Sequence, residues 1–298
     1  MNKTEAFHSG FISIIGRPNV GKSSVMNAML GEKLAIVSAK PQTTRTRMMG
    51  IMTANNAQMV FLDTPGVHEP RTKLGELMMK SVRDALDGSD CILMILDVSH
   101  ITKNDRELVE SYLSQKVPCV LALNKTDLVR PETVLASTAE FADAGFADIV
   151  PVSAKTGDGI GELSKCLFSH LPEGPQYFPD DMITDQPERV LCAEIIREKA
   201  LLNLQEEVPH GIGVEIMQFT QNSDSFADIQ ATVYCERESH KAIIIGKHGS
   251  MLKRIGSEAR ADIEKLLGIH VNLNLWVKVK NDWRNRPSEL KNLGYDVK

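Results

Sequence analysis

The sequence predicts an α/β protein in which a largely parallel sheet, with helices on both faces, is followed by a smaller α+β domain. Three observations carry that prediction. Between residues 11 and 171 short apolar runs alternate with helical patterns, as βα units do. Residues 172–184, reading Pro-Glu-Gly-Pro-Gln-Tyr-Phe-Pro-Asp-Asp-Met-Ile-Thr, break the alternation with three prolines, the composition of a short, semi-rigid linker. Beyond it come one long helical pattern, two alternating strands and a second Gly-punctuated helix start.

Composition sets the outer limits. The chain has 298 residues, 42% hydrophobic and 24% charged, which suits two globular domains with cores of their own and argues against disorder. Cys91, Cys119, Cys166, Cys192 and Cys235 are widely spaced without a C-x-x-C pair, so free thiols in a reducing cytosol are expected and a zinc site is not. Met1–His8 lacks an apolar signal core, and the purest apolar run, Cys91–Leu96, is too short to span a bilayer. A cytoplasmic protein without an integral membrane segment is expected. The formal charge of -5 conceals an asymmetry: residues 237–298 carry 13 Lys/Arg against 7 Asp/Glu, and upstream the balance is 21 against 32. A basic tail on an acidic chain points to either a solvated face or a nucleic-acid surface.

Taken in order, the first strand, near 11–16, runs into Gly16-Arg17-Pro18-Asn19-Val20-Gly21-Lys22-Ser23. This is G-x-x-x-x-G-K-[ST] between strand and helix, a phosphate cradle. Its glycines let backbone N–H groups face phosphate oxygens, the helix from Lys22 adds its positive dipole end, Lys22 reaches the β- and γ-phosphates, and Ser23 reaches Mg²⁺. After a helix near 22–30, Gly31–Arg47 is polar and holds Lys40-Pro41-Gln42-Thr43-Thr44-Arg45. It reads as a mobile loop whose hydroxyls are available to a metal. Strands near 47–54 and 58–63 follow, the second ending in Asp63-Thr64-Pro65-Gly66. There a carboxylate can hold Mg²⁺ and the Gly66 N–H can meet the γ-phosphate. Helices are expected near 73–87, 103–115, 131–144 and 159–170, with strands near 91–97, 118–123 and 149–153. The last two strands lead into Asn124-Lys125-Thr126-Asp127 and Ser153-Ala154-Lys155. Asp127, an acceptor only, matches the two adjacent donors on the edge of guanine and not of adenine.

With these motifs in order at successive strand ends, residues 10–171 resemble the Ras-like GTPases of translation and ribosome assembly. That resemblance implies a Ras-like P-loop fold, GTP/GDP and Mg²⁺ as ligands, Mg²⁺-dependent hydrolysis, and catalytic roles for Lys22, Thr44, Gly66 and Asn19. Ser23, Thr44 and Asp63 would serve the metal, with the choice between Thr43 and Thr44 open, and Asn19 is the position that in similar GTPases helps hold K⁺. The residue after D-T-P-G is Val67, where Ras places the glutamine that orients water.

Past the linker, Asp185 or a neighbour is expected to cap a helix reaching about Gln205, followed by strands at 213–219 and 229–236. Ala242–Ile245 is an apolar run ending in Gly246-Lys247-His248-Gly249, with a helix from about Ser250 carrying Lys253 and Arg254 and a strand from Val271 to Lys280. A G-x-x-G turn before a helix lets RNA backbone approach closely, and Lys247 adds charge. This order resembles the second topological type of K-homology domain, which implies RNA contacts at Gly246, Lys247, His248, Gly249, Lys253 and Arg254. Trp276, Trp283 and Tyr295 are further candidates for stacking on bases, although a strand Trp is more often core. The whole layout, 1–171, 172–184 and 185–298, is similar to a bacterial family of ribosome-assembly GTPases. Membership implies binding of small-subunit rRNA near its 3′ end, a monomer acting on the small ribosomal subunit, and peripheral contact with the inner membrane.

Overall fold

The computed structural model describes residues 6–38, 40, 42–54, 56–113 and 117–295. Pro41, and the end of the helix expected over 103–115, lie outside the described residues. The chain forms two compact units, one from Met1–Ala35, Thr44–Glu69 and Met78–Asp185, the other from Ile36–Thr43, Pro70–Leu77 and Gln186–Lys298. Among the described residues no helix is long and apolar enough to cross a membrane.

The first unit holds β1 (His8–Ile15), α1 (Lys22–Leu30), β2 (Met48–Ala54), β3 (Ala57–Asp63), β4 (Cys91–Asp97), α3 (Lys103–Leu113), β5 (Cys119–Asn124), α4 (Pro131–Phe141), β6 (Asp148–Pro151) and α5 (Ile160–Ser169), with α2 (Lys73–Leu86) shared between units. The sheet order is β2-β3-β1-β4-β5-β6, parallel throughout except for β2, which pairs antiparallel with β3 in register Met48 to Asp63. Asn56 lies in the short turn of this β2–β3 hairpin, and its length leaves no room for the crossover that parallel pairing needs. β4 and β5 are buried at nearly every position, as central parallel strands covered on both faces must be. Because β1, β4, β5 and β6 run the same way, their motif-bearing ends share one edge of the sheet.

The stretch 172–184 is hydrogen-bonded to the first unit along its length. The Ser9 N–H donates to Pro172 O (3.1 Å), Ile51 N–H to Ile183 O (2.8 Å), and the Thr184 hydroxyl to Met49 O (2.7 Å). Gln58, fully buried on β3, accepts from the Tyr177 and Phe178 N–H groups and donates to Phe178 O. A buried amide needs such partners, and the strap supplies them.

The second unit holds α6 (Glu188–Asn203), β7 (Gly213–Ser223), β8 (Phe226–Cys235), α7 (Glu238–Ile245), α8 (Ser250–Leu267), β9 (His270–Val279) and α9 (Pro287–Asn292). Its sheet is β7-β8-β9, antiparallel then parallel, and Ile196, Ala200, Ile229, Ala231, Val233, Ile255, Ala259 and Ile263 build its core. One expectation is refined here: the first helix starts at Glu188, with Pro187 and not Asp185 in the N-cap position and no side-chain hydrogen bond from that cap. The apolar run before the G-x-x-G is the end of α7, a helix begun by Glu238-Ser239-His240-Lys241. Its exposed Ile243 and buried Ile244 show why periodicity over four residues did not reveal it.

Candidate functional site

The backbone leaving β1 turns through Gly16 (φ 153°), Asn19 (φ 67°) and Gly21 (φ 99°) before α1 starts at Lys22. A Cβ on Gly16 would stand 2.5 Å from Ile95 O, and one on Gly21 would stand 2.2 Å from Asn124 Nδ2, so both glycines are needed for close approach as well as for the turn. Lys22 folds back over the loop, its Nζ donating to Gly16 O (3.2 Å) and Arg17 O (3.1 Å). The Arg17 side chain leaves the loop, donating to Thr102 Oγ1 (2.6 Å) and Asp105 Oδ2 (3.1 Å). Arg17 therefore shapes the cradle through its backbone.

Ser23, Thr44 and Asp63 converge beside Lys22. Ser23 Oγ donates to Asp63 Oδ2 at 2.6 Å and lies 3.0 Å from Thr44 Oγ1, which is 3.4 Å from the same carboxylate oxygen. Thr43 turns elsewhere, donating to Lys40 O at 2.7 Å. The other Asp63 oxygen is buried without a partner. Three hard oxygen donors and an unmet carboxylate oxygen fit Mg²⁺. Burial pushes the Lys22 pKa down to about 8 against the attraction of Asp63, and burial pushes Asp63 up against Lys22, Ser23 and Thr44. Desolvation thus exceeds mutual attraction at both groups, which leaves the site suited to an incoming anion and dication.

The segment after β3 is tied to the same loop. Thr64 Oγ1 donates to Ile14 O (2.7 Å), Val67 N–H donates to Gly16 O (3.1 Å), and a Cβ on Gly66 would meet Pro18 at 2.7 Å. Pro65 and Gly66 are buried in this contact. Sequence reasoning missed His68: its Nδ1 donates to Gly66 O (2.7 Å), while Nε2 is enclosed with no partner. The signal available was a polar ring directly after the apolar Val67.

At the far end of the cradle, Asn124 binds two loops together. Its Nδ2 donates to Val20 O (2.8 Å), and its Oδ1 accepts the Ala154 N–H (3.1 Å). Lys125, at φ 68°, extends its amine to Asn19 O (2.8 Å) and Asp97 Oδ2 (2.6 Å). Burial alone would raise the Asp97 pKa, but hydrogen bonds from Lys125 and Ser99 hold it below the ordinary value. Asp97 is a second residue that the motifs did not reveal, and a carboxylate ending β4 was its signal. The Thr126 N–H donates to Val152 O (3.2 Å), and Ser153 Oγ donates to Asp127 Oδ1 (2.7 Å), with Lys155 Nζ 3.8 Å from the other oxygen. The carboxylate is oriented before any base arrives.

In the second unit, Gly246-Lys247-His248-Gly249 forms a 3-10 turn between α7 and α8, with positive φ at Gly246, His248 and Gly249. Lys247 and His248 are exposed, as are Lys253 and Arg254 on the first turns of α8. Arg254 also donates to Glu258 (3.0 Å). Beside the turn a groove of about 350 Å³ runs between α8 and the edge strand β9, lined among others by Gly249, Lys253, Gly256, Arg260 and Asn274. The aromatic expectations divide. Trp276 on β9 is 47% exposed, so the strand Trp is surface and not core. Trp283 is fully buried, stacks on Tyr295 at 6.2 Å and donates to Gly211 O (2.9 Å), which removes both of those rings as base-stacking platforms.

A phosphate-loop turn, three converging oxygen donors and an oriented carboxylate on one sheet, with a separate G-x-x-G domain, are the layout of a P-loop GTPase joined to a K-homology domain. The 50S ribosome-binding GTPase family matches residues 11–125, and the KH domain family matches 207–284. The chain is 52% identical to GTPase Era of Alkaliphilus metalliredigens, covering 98% of this chain and 100% of that one. It is 48% identical to GTPase Era of Ruminiclostridium cellulolyticum, covering 97% and 98%. Among solved structures, Era in complex with MgGDPNP and nucleotides 1506–1542 of 16S ribosomal RNA superposes with a TM-score of 0.93 at 40% identity, over 98% of this chain and all of that one. A variant of Aquifex aeolicus Era bound to GDP and aluminium fluoride gives the same values. The chain belongs to the Era family of GTPases.

Proposed function

We propose that this chain is a GTP-hydrolysing switch in assembly of the 30S ribosomal subunit, reading small-subunit rRNA near its 3′ end with its K-homology domain. The observation that carries the hydrolytic half is the convergence of Ser23, Thr44 and Asp63 on one corner beside Lys22. In this reading the backbone from Gly16 to Gly21 cradles the phosphates, and Lys22 exchanges its contacts with Gly16 O and Arg17 O for phosphate oxygens. Ser23, Thr44 and Asp63 hold Mg²⁺, which neutralises charge on the phosphate oxygens when bound. The Gly66 N–H meets the γ-phosphate, and Asp127, fixed by Ser153, accepts from guanine, with Asn124 and Ala154 framing the pocket. Asn19 helps hold K⁺ at the phosphates, in keeping with an apolar Val67 where a water-orienting glutamine would otherwise stand.

The RNA half is supported by the likeness to the Era structure that holds a 16S rRNA fragment and by the exposed G-x-x-G turn leading into α8. Residues 1–171 form the GTPase domain, 172–184 the connection and 185–298 the RNA-binding domain. The family resemblance supports a cytoplasmic monomer with peripheral contact at the inner membrane. The test is crosslinking in cells followed by sequencing of the recovered RNA, alongside GTP turnover of the purified chain in Mg²⁺. Enrichment of the 3′ segment of small-subunit rRNA, together with turnover, is expected. A flat RNA profile would overturn the ribosomal assignment, and absence of turnover would overturn the enzymatic one.

A further inference from the structure

On the first unit, away from the nucleotide corner, Asp148, Cys166 and His170 bring a carboxylate oxygen, a thiol sulfur and an imidazole nitrogen within 4.8 Å of one another. Cys166 and His170 are four residues apart at the end of α5, so one helical turn places them on the same face. Asp148 opens β6 and meets that face: its Oδ2 lies 2.6 Å from His170 Nε2, with the Cys166 sulfur within 4.8 Å of both. Cys166 and His170 are half-buried and Asp148 is exposed, which leaves the solvent side open. Because the three residues come from two elements 18 positions apart, no local spacing announces them.

We propose that Asp148, Cys166 and His170 form a binding site for one zinc-class divalent cation, with water completing the coordination. Ligand atoms around tetrahedral zinc stand roughly 3.3–3.7 Å apart, given bond lengths of about 2.0–2.3 Å. The His170–Asp148 contact is shorter than that spacing and the separations to sulfur are within 4.8 Å, so the cation needs that contact to open by about 1 Å and the thiol proton to leave. The mixed sulfur, nitrogen and oxygen set selects zinc over Mg²⁺, whose preference is for oxygen alone. Position gives the site a consequence. β6 leads directly into Ser153-Ala154-Lys155, and α5 departs from the other end of that loop at Ile160. A cation across the outer ends of these two elements ties together the supports of the base-recognition loop.

The test uses the full chain, stripped of metal and then kept in excess Mg²⁺ and GDP, titrated with Co²⁺ as a spectroscopic substitute. A sulfur-to-cobalt charge-transfer band growing to one equivalent per chain is expected. Cys166→Ser should abolish the band, because Cys91, Cys119, Cys192 and Cys235 are buried, and His170→Gln should weaken Co²⁺ binding at least about tenfold. Zn²⁺ should displace Co²⁺ and raise the melting temperature of the unmodified chain, but not of Cys166→Ser. GTP turnover in Mg²⁺-containing buffer free of Zn²⁺ and Co²⁺ should be the same in both. No charge-transfer band, or a band that persists in Cys166→Ser, would overturn the site.

Discussion

Single residues at the nucleotide corner make opposite demands on water and charge, and Lys22 shows this most clearly. Its amine is buried with a pKa near 8, lowered from 10.5 by desolvation. Between those values the unfolded chain binds the proton and the folded chain does not, so the Lys22 contribution to folding stability rises with pH across pH 8 to 10.5. The full span corresponds to roughly 3 kcal/mol at 1.36 kcal/mol per unit. Above pH 9 the Cys91, Cys119, Cys166 and Cys192 thiols, pushed by burial up to about 12, pull stability the other way, so the rise is read as the difference between nucleotide-free unmodified chain and Lys22→Met. The stability gap between the two should change with pH from 8 to 10.5, and a gap that stays constant would show that Lys22 is not desolvated. Asp127, already held by Ser153, is proposed to set base choice through an acceptor pair. Asp127→Asn should therefore shift preference from GTP to xanthosine triphosphate, whose 2-oxo group needs a donor, with discrimination approaching 10⁴ in sites built this way. Competition binding that still favours GTP would reject the base-pocket assignment. If Asn19 holds K⁺, hydrolysis should run faster in K⁺ than in Na⁺, and Asn19→Ala should erase the difference. Equal rates in both salts would leave GTP binding intact and remove the cation.

At the level of elements, the G-x-x-G turn separates two glycines that look equivalent in the sequence. A Cβ on Gly246 would lie 2.7 Å from Met251 Cβ, whereas around Gly249 there is open space, although both have positive φ. Gly249→Asp should therefore cut RNA affinity at little more than the cost of one left-handed residue, about 1 kcal/mol. Gly246→Asp should lose affinity and several degrees of melting temperature together. Filter binding and thermal melts of the two variants check this, and unaltered RNA affinity in Gly249→Asp would sink the clamp. The elements themselves were largely legible: β1, β3, β4, β5 and α1 lie where apolar runs and the phosphate loop placed them, because central parallel strands are continuously apolar. α7 was not, because half its turns are polar and its apolar end is shorter than one helical repeat needs to declare itself. Trp276 is exposed although a strand Trp is more often core, and Trp283 is buried and lost as a stacking candidate, both for a tertiary reason. An edge strand leaves one aromatic on the surface, while the turn after β9 carries the other onto Gly211 O. Asp97 escaped because it acts through Lys125, which only the fold brings close, and His68 because no motif marks a ring that folds back on Gly66 O two residues before it.

Across the whole molecule the charge opposes RNA except where it is local. The formal balance is -11 before residue 237 and +6 from it onward, so association has to be driven by the field around α8 and not by net attraction. Lys247, Lys253, Arg254 and Arg260 are the cations at or beside the turn, all exposed. If each of the four neutralises one phosphate, log affinity for single-stranded RNA should fall against log salt with a slope of about -3, at about -0.7 per contact. Lys253→Ala should make the slope shallower by about 0.7 and weaken binding alike for all RNA sequences, since a phosphate contact carries no sequence information. The phosphate loop is a separate requirement. Lys22→Ala in the full chain should abolish GTP binding yet leave nucleotide-free RNA binding and its salt slope unchanged, because the G-x-x-G turn, α8 and β9 owe no contact to Lys22. Filter binding of a 3′-end rRNA oligonucleotide at several salt concentrations measures both variants. Loss of RNA binding in Lys22→Ala without nucleotide, or a slope unaffected by Lys253→Ala, would show that the basic segment is a solvated face and that RNA is held elsewhere.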